Sequence, residues 1–290
     1  MAESSREIKR RMASISNTQQ ITRAMEMIAG SKLRNAQETV IATRPYYERL
    51  TSSLGTALRA AEDSGENLPE VIRDRNGESY CLLVFTGDRG LAGGYNAAIV
   101  RRAEQFLQEH PGTEMVLVGR KARDHFRRRN QTSLAEFVGL GDQANLRTAQ
   151  DIGQVIFDFF EHRLFDRVSI LYTEYIKTVT HRVKLRPVLP LPVQIRETQR
   201  SQLEPLYLYE PSIHAVLETL LPLYVNAAVY QALTEAKASE LGARLTAMRN
   251  ATDNAGELIQ ELRITYNRAR QAQITREIAE IVGGADALQS

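Results

Sequence analysis

Four glycines crowd the stretch Thr86–Asn96 (TGDRGLAGGYN), which follows a strand-like apolar run and precedes a helix-like segment. In an α/β sheet, a turn in that position is where backbone amides cradle the phosphates of a dinucleotide. Gly87, Gly90, Gly93 and Gly94 do not have the GxGxxG spacing, however, and no GxxxxGK[ST] occurs anywhere. A tight strand-to-helix turn, with Asp88 bonding local amides, is favoured over a phosphate cradle. The histidines (His110, His125, His162, His181 and His214) are scattered without HExxH or other ligand spacing, so no metal is expected. Cys81, the single cysteine, lies inside an apolar run and reads as a core residue; it excludes an internal disulfide or a CxxC pair. With no GxSxG either, the expectation is no catalytic residue and no cofactor.

Charge is more informative in its distribution than in its total. Lys plus Arg is 37 and Asp plus Glu is 35, a balance that indicates no partner. Arg120–Arg129 (RKARDHFRRR) packs six basic residues into ten. Without an accompanying nucleic-acid module, a solvated helix face or a seat for an acidic protein is favoured over nucleic acid. Nearer the N-terminus, Arg6, Lys9, Arg10, Arg11, Arg23, Lys32 and Arg34 face only Glu7 and Glu26. Solvated charge and steering toward an acidic protein surface are both open there.

The elements that carry these groups fall into three textures. From Ser5 to Arg59 the composition favours helix, and steps of four and three from Ile8 reach Met12, Ile15, Gln19, Thr22, Glu26, Ala29, Leu33, Ala36 and Val40. This is a heptad seam with apolar ends and an imperfectly paired polar middle. Pro45 is expected to kink the helix or begin a new segment. From Ser212 to Val282 the same stepping runs from Ile213 through Tyr224, Gln231, Ala238, Met248, Thr252 and Ala255 to Ala269 and Gln273. The pairs Glu240/Arg244 and Arg276/Glu280 at i,i+4 support an exposed helix, while Gly242 and Gly256 each cost about 1 kcal/mol that packing must offset.

Between them, strand-like Tyr80–Thr86, Glu114–Val118, Leu134–Val138 and Arg167–Thr173 alternate with helix-like Ala92–Glu109, Lys121–Arg129 and Ala149–Arg163. That alternation predicts a mostly parallel sheet. The fold class is α/β: a long antiparallel two-helix coiled coil from the terminal helices, plus a central Rossmann-like domain. The expected division is residues 1–60 as N-terminal helix, 61–77 as linker, 78–209 as central α/β domain and 210–290 as C-terminal helix. A rod with glutamine, threonine and glutamate in its seam buries little per residue, so a surrounding partner is expected. No apolar run near the length of a membrane span is evident, nor a secretory signal, so membrane association is expected only through partner proteins.

Ser14–Gln37 (SISNTQQITRAMEMIAGSKLRNAQ) resembles the N-terminal helix of F-type ATP synthase gamma subunits. Ala247–Leu288, with AMRNATDNAGELI and YNRARQAQITREIAEIVGGADAL, resembles their C-terminal signature. TGDRGLAGGYN and Tyr207–Ser212 (YLYEPS) are also similar to that family, in the same order and spacing.

The resemblance implies a rotor shaft threaded through a hexamer of alpha and beta subunits, with the α/β domain as a foot on the epsilon subunit and the c-ring. It implies a non-catalytic subunit that couples proton-driven rotation of the ring to ATP synthesis or hydrolysis on beta. It also implies that Arg270, Gln271 and Thr275 contact a loop of beta, and that Met25 faces beta's acidic lever, with Arg23, Lys32 and Arg34 complementing its charge. Tyr209 and Glu210 are implied near the c-ring, and Ile281–Leu288 as a low-friction tip. The chloroplast branch's dithiol switch is excluded by the lone cysteine, and with no transit peptide the implied location is the cytoplasmic face of a bacterial membrane. Two alternatives stay open on residues alone: an α/β enzyme with an RNA-holding coiled-coil arm, and a shaft of the vacuolar or archaeal rotary machines.

Overall fold

The computed structural model describes residues 5–66, 68–69, 72, 75, 77–178, 180–192, 195 and 207–289, without the side chains of residues 181, 280 and 283–289. Its elements are α1 (Ser5–Ser64), β1 (Tyr80–Phe85), α2 (Tyr95–Glu109), β2 (Glu114–Val118), α3 (Arg120–Arg127), β3 (Ala135–Phe137), α4 (Leu146–Glu161), β4 (Arg167–Tyr175), β5 (His181–Leu189) and α5 (Ile213–Gln289). Two compact units result: Gly30–Arg244, and the pairing of Met1–Ala29 with Leu245–Ser290.

In the larger unit the sheet order is β3-β2-β1-β4-β5. β1 pairs in parallel with β2 and β4, and β2 with β3. The apolar run of β1 is buried on both faces because its side chains alternate. Leu82 and Val84 join Ile99, Phe106, Leu117 and Phe126 beneath α2 and α3. Cys81, Leu83 and Phe85 join Ile152, Ile156 and Phe160 of α4, together with Leu54 and Leu58 of α1 and Leu221, Tyr224 and Val225 of α5. Within this unit, α4 and the adjoining stretches of α1 and α5 thus form one of the two layers over the sheet.

β5, antiparallel to β4, was not anticipated from the sequence. Its sequence, HRVKLRPVL, alternates charge with apolar residues and carries Pro187, so it does not look like an interior strand. These are the features of a protected edge strand. Its Arg182 and Lys184 both reach Glu174 of β4.

α1 runs on through Pro45 to Ser64, where a kink or new segment was expected. A proline inside a helix costs about 3 kcal/mol. Val40, Leu50, Leu54 and Leu58, all buried, anchor the helix on either side of it. α5 contains an 18-residue stretch apolar enough to cross a bilayer by composition, contrary to expectation, and 44% of that stretch is buried within the protein. From Gln231 to Ala243 every residue of α5 is buried, including Gln231, Thr234, Glu235, Lys237, Ser239 and Glu240. An amphipathic stripe does not describe this segment; it is a core helix with polar side chains that need partners.

In the smaller unit the two helices run antiparallel, with Ser5 bonded to Gln273 and Thr22 to Thr252. The heptad positions carry the seam as expected: Ile8, Ala29, Met248 and Ala255 are buried. The polar middle pairs with itself. The Thr252 hydroxyl donates to that of Thr22 at 2.8 Å, and the Gln19 amide donates to the Thr252 carbonyl at 3.2 Å. From Arg270 onward every described side chain of α5 is exposed. Of the expected low-friction tip, Ile281 and Val282 are exposed, and the side chains from residue 283 onward lie outside the described residues.

Candidate functional site

Open parallel sheets bind ligands in the crevice beyond the carboxyl ends of their strands. Here α5 fills that crevice. The buried Tyr95 hydroxyl, at the start of α2, donates to the Ala236 carbonyl at 3.1 Å. Ser239 donates to the carbonyl of Thr173, in β4, at 3.1 Å. Arg244 donates to the Gly90 carbonyl and pairs with Glu240 at 2.6 Å. Glu240 lies so close to Gly87 that a Cβ there would sit 2.6 Å from its carboxylate oxygen. The Glu240/Arg244 pair, expected on an exposed helix, is therefore buried at the sheet's edge, with side chains 7% and 11% exposed.

Asp88 supplies the negative charge that a phosphate would bring. Its Oδ1 accepts the backbone amides of Arg120 and Gly139, and its Oδ2 that of Leu140, at 2.9–3.1 Å. These are not the local amides expected from the sequence, because they belong to the first residue of α3, just after β2, and to the loop after β3. Burial pushes the carboxyl up, but the three amides and nearby Lys237 outweigh it and hold the pKa below the usual aspartate value. Thr86 and Gly87 take further amides at the start of α3, from Ala122 and Lys121. Of the glycine-rich loop's own amides, that of Gly87 donates to the Asn96 side chain at 2.9 Å.

The other candidate chemistry is also accounted for by the fold. Cys81 is fully buried, and burial drives its thiol far above the ordinary range. The basic run forms α3, where Ala122 and Phe126 face the core. Its Arg123, Arg127 and Arg129 pair with Asp124, Glu136 and Glu104. Three of the run's six cations are thus matched by carboxylates of the same domain. Among the described residues, no three His, Cys, Asp or Glu side chains converge as metal ligands.

The residues implied as contacts lie in both units. Arg270, Gln271 and Thr275 are exposed on α5, and the Thr275 hydroxyl donates to the Gln271 carbonyl at 3.0 Å, one turn earlier. Arg23 is exposed and Met25 half-buried on α1 in the same unit. Lys32 and Arg34 fall in the larger unit. There Lys32 is held by Asp142 at 2.5 Å, beside a cavity of about 760 Å³, while Arg34 is exposed. Tyr209 packs against the large core, and Glu210 beside it is exposed. Sequence reading missed the roles of Tyr95, Ser239 and Lys237. The available signal was the density of polar residues between Gln231 and Glu240 on a helix otherwise rich in alanine.

The ATP synthase family pattern matches residues 4–288. The ATP synthase gamma chain of Heliobacterium modesticaldum is 44% identical over 288 residues, covering 98% of each chain. That of Symbiobacterium thermophilum is 44% identical over 291 residues, covering 100% of each. The chain belongs to the ATP synthase gamma-chain family. The rotor of the Euglena gracilis mitochondrial ATP synthase superposes with a TM-score of 0.62, covering 93% of this chain and 98% of that one at 20% identity. That likeness shows the fold: an α/β sheet domain carried by two long helices. Family membership sets aside both the RNA-holding enzyme and the vacuolar or archaeal shaft.

Proposed function

We infer that this gamma chain, the central stalk of an F-type ATP synthase, is itself non-catalytic and transmits rotation between the c-ring and the beta-subunit sites of the alpha–beta hexamer. The single observation that carries this reading is the match over the whole chain to gamma chains at 44% identity. The filled crevice supports it, since a sheet domain that occupies its own ligand position acts as a mechanical part.

The roles divide along the chain. The α/β domain rests on the epsilon subunit and the c-ring, with Tyr209 and Glu210 on that side. Proton flow turns the ring and with it this chain, on the cytoplasmic face of a bacterial membrane, to which the chain is peripheral. Arg270, Gln271 and Thr275 dock a loop of beta, with Gln271 and Thr275 on one helix face. Met25 meets beta's acidic lever, and Arg23 and Arg34 supply complementary charge. Lys32 contributes less, because Asp142 already takes its ammonium. Exposed Ile281 and Val282 of α5 turn against the hexamer through non-directional dispersion contacts that trap no single angle.

Co-expression with cognate alpha and beta subunits, size-exclusion chromatography and an ATPase assay test this. The expected result is one copy of the chain per hexamer and ATP hydrolysis that depends on it, with none by the chain alone. Hydrolysis by the purified chain, or a hexamer indifferent to it, overturns the reading.

A further inference from the structure

Between Tyr224 and Ala243 the long helix α5 is enclosed, yet much of its surface is alanine: Ala227, Ala228, Ala232, Ala236, Ala238 and Ala243 are all buried. Apolar burial resists pulling such a helix out of the core. It resists turning far less, because the attraction is non-directional and small side chains offer few ridges to interlock. A shaft must not turn inside its own mounting. Resistance to turning comes from directional contacts, and those between α5 and the sheet domain cluster at the carboxyl end of the sheet.

Four side chains hydrogen-bond between α5 and the domain there. Tyr95 holds the Ala236 carbonyl and Ser239 holds the Thr173 carbonyl. Lys237, its side chain 9% exposed, donates to the Gly141 carbonyl at 2.8 Å, and Arg244 donates to that of Gly90. Two of these acceptors, Gly90 and Gly141, sit on loops with no regular structure of their own. What fixes both loops is one carboxylate. Asp88 lies two residues before Gly90, and it takes the amides of Gly139 and Leu140 immediately before Gly141, as well as that of Arg120.

We propose that Asp88 is the positioning residue of a rotational latch: by tying the loops after β1 and β3 and the first residue of α3 together, it presents the Gly90 and Gly141 carbonyls to Arg244 and Lys237 and so sets the angle of α5 in the sheet domain. The proposal rests on the central-stalk reading and adds the path by which torque passes from the sheet domain into the shaft. Asp88 acts through other groups; it touches no nucleotide and no partner in this scheme. Removing its carboxylate leaves three inward-facing amides without an acceptor, and with them a space the size of a small anion.

The test uses the complete complex, wild type and variant, in inside-out membrane vesicles, comparing ATP-driven ion pumping with ATP hydrolysis in the same preparation. Asp88→Ala is expected to keep hydrolysis within about twofold of wild type while the ratio of pumping to hydrolysis falls by roughly threefold or more, since charge-assisted bonds are the strong ones. Excess formate, which fits the vacated amides, restores the ratio in Asp88→Ala. It does not do so in Asp88→Asn, where the amide fills the space and turns a donor toward the donors. A wild-type ratio in both variants, or a lowered ratio in Asp88→Ala that formate does not touch, overturns the latch. If Asp88→Ala fails to assemble, the nearly isosteric Asp88→Asn decides: a wild-type ratio there also overturns it. Absence of pumping in the wild-type complex instead sinks the central-stalk reading and is distinguishable for that reason.

Discussion

Tyr95 and Ala236 are joined by a buried hydrogen bond, from the phenol at the head of α2 to a carbonyl in the middle of α5. The bond links the glycine-rich loop directly to the shaft. Tyr95→Phe keeps the ring and leaves the carbonyl its helical partner, so a loss of about 1 kcal/mol is expected in urea unfolding. Tyr95→Ala also opens a cavity, and a loss of about 3–5 kcal/mol is expected.

Alkaline stability follows from the same burial. Desolvation raises the pKa of Tyr95, Tyr172 and Tyr224 in the folded chain. A raised folded pKa means that the contribution is present below the unfolded value of about 10 and is lost as pH rises above it. Urea midpoints should hold at neutral pH and fall beyond about pH 10. Phenolate absorbance from these three should appear only with unfolding, and their ionisation in the folded chain near pH 10 would count against the burial argument.

Gly242 and Gly256 make opposite predictions for one substitution. Helix propensity alone favours alanine at both by about 1 kcal/mol. At Gly242 a Cβ would sit 2.7 Å from the backbone carbonyl of Thr178, which cannot move alone. Overpacking of about 1–3 kcal/mol therefore exceeds the gain, and Gly242→Ala destabilises. At Gly256 the nearest atom is the Gln19 side-chain nitrogen at 3.0 Å, the end of a flexible chain that can shift by a few tenths of an ångström while still donating to the Thr252 carbonyl. Gly256→Ala should be neutral to slightly stabilising in a thermal melt.

Asp88 predicts part of the acid limb. Its pKa is lowered in the folded chain, so its contribution is present above the unfolded value of about 3.9 and is lost as pH falls through the folded pKa. Asp88→Asn is expected to lower stability at pH 7 and to flatten the dependence of the urea midpoint on pH below about pH 4. A variant with an unchanged acid slope would show that other carboxylates dominate it.

Gln271 and Thr275 are exposed, so their double substitution to alanine should change the chain's own unfolding free energy by no more than about 0.5 kcal/mol. If they dock beta, the same variant lowers the ATPase rate of the reconstituted hexamer. Equal rates in variant and wild type would remove them from the docking surface.

Much of this architecture was legible locally. The positions from Ile8 to Val40 and from Ile213 to Ala269 repeat every three to four residues, and the structure buries or half-buries each of them. Helical periodicity depends only on neighbours along the chain, as does the alternation of β1. β5 was hidden because an edge strand is selected against looking apolar. Pro45 misled because its local cost is outweighed by burial contributed from distant segments.

The amino-acid sequence by itself determined the two long helices, the parallel strands, the absence of nucleotide and metal motifs, and the family. Only the tertiary structure decided what fills the crevice. Asp88 meets amides 32, 51 and 52 residues further along the chain. Tyr95 reaches a carbonyl 141 residues away. Hydrogen bonds across such separations have no period and no spacing rule, because the geometry that brings donor and acceptor together is set by the packing of the sheet and helices between them. A carboxylate in a glycine-rich turn and a charged pair on a helix look solvent-bound until that packing brings each of them partners from distant segments.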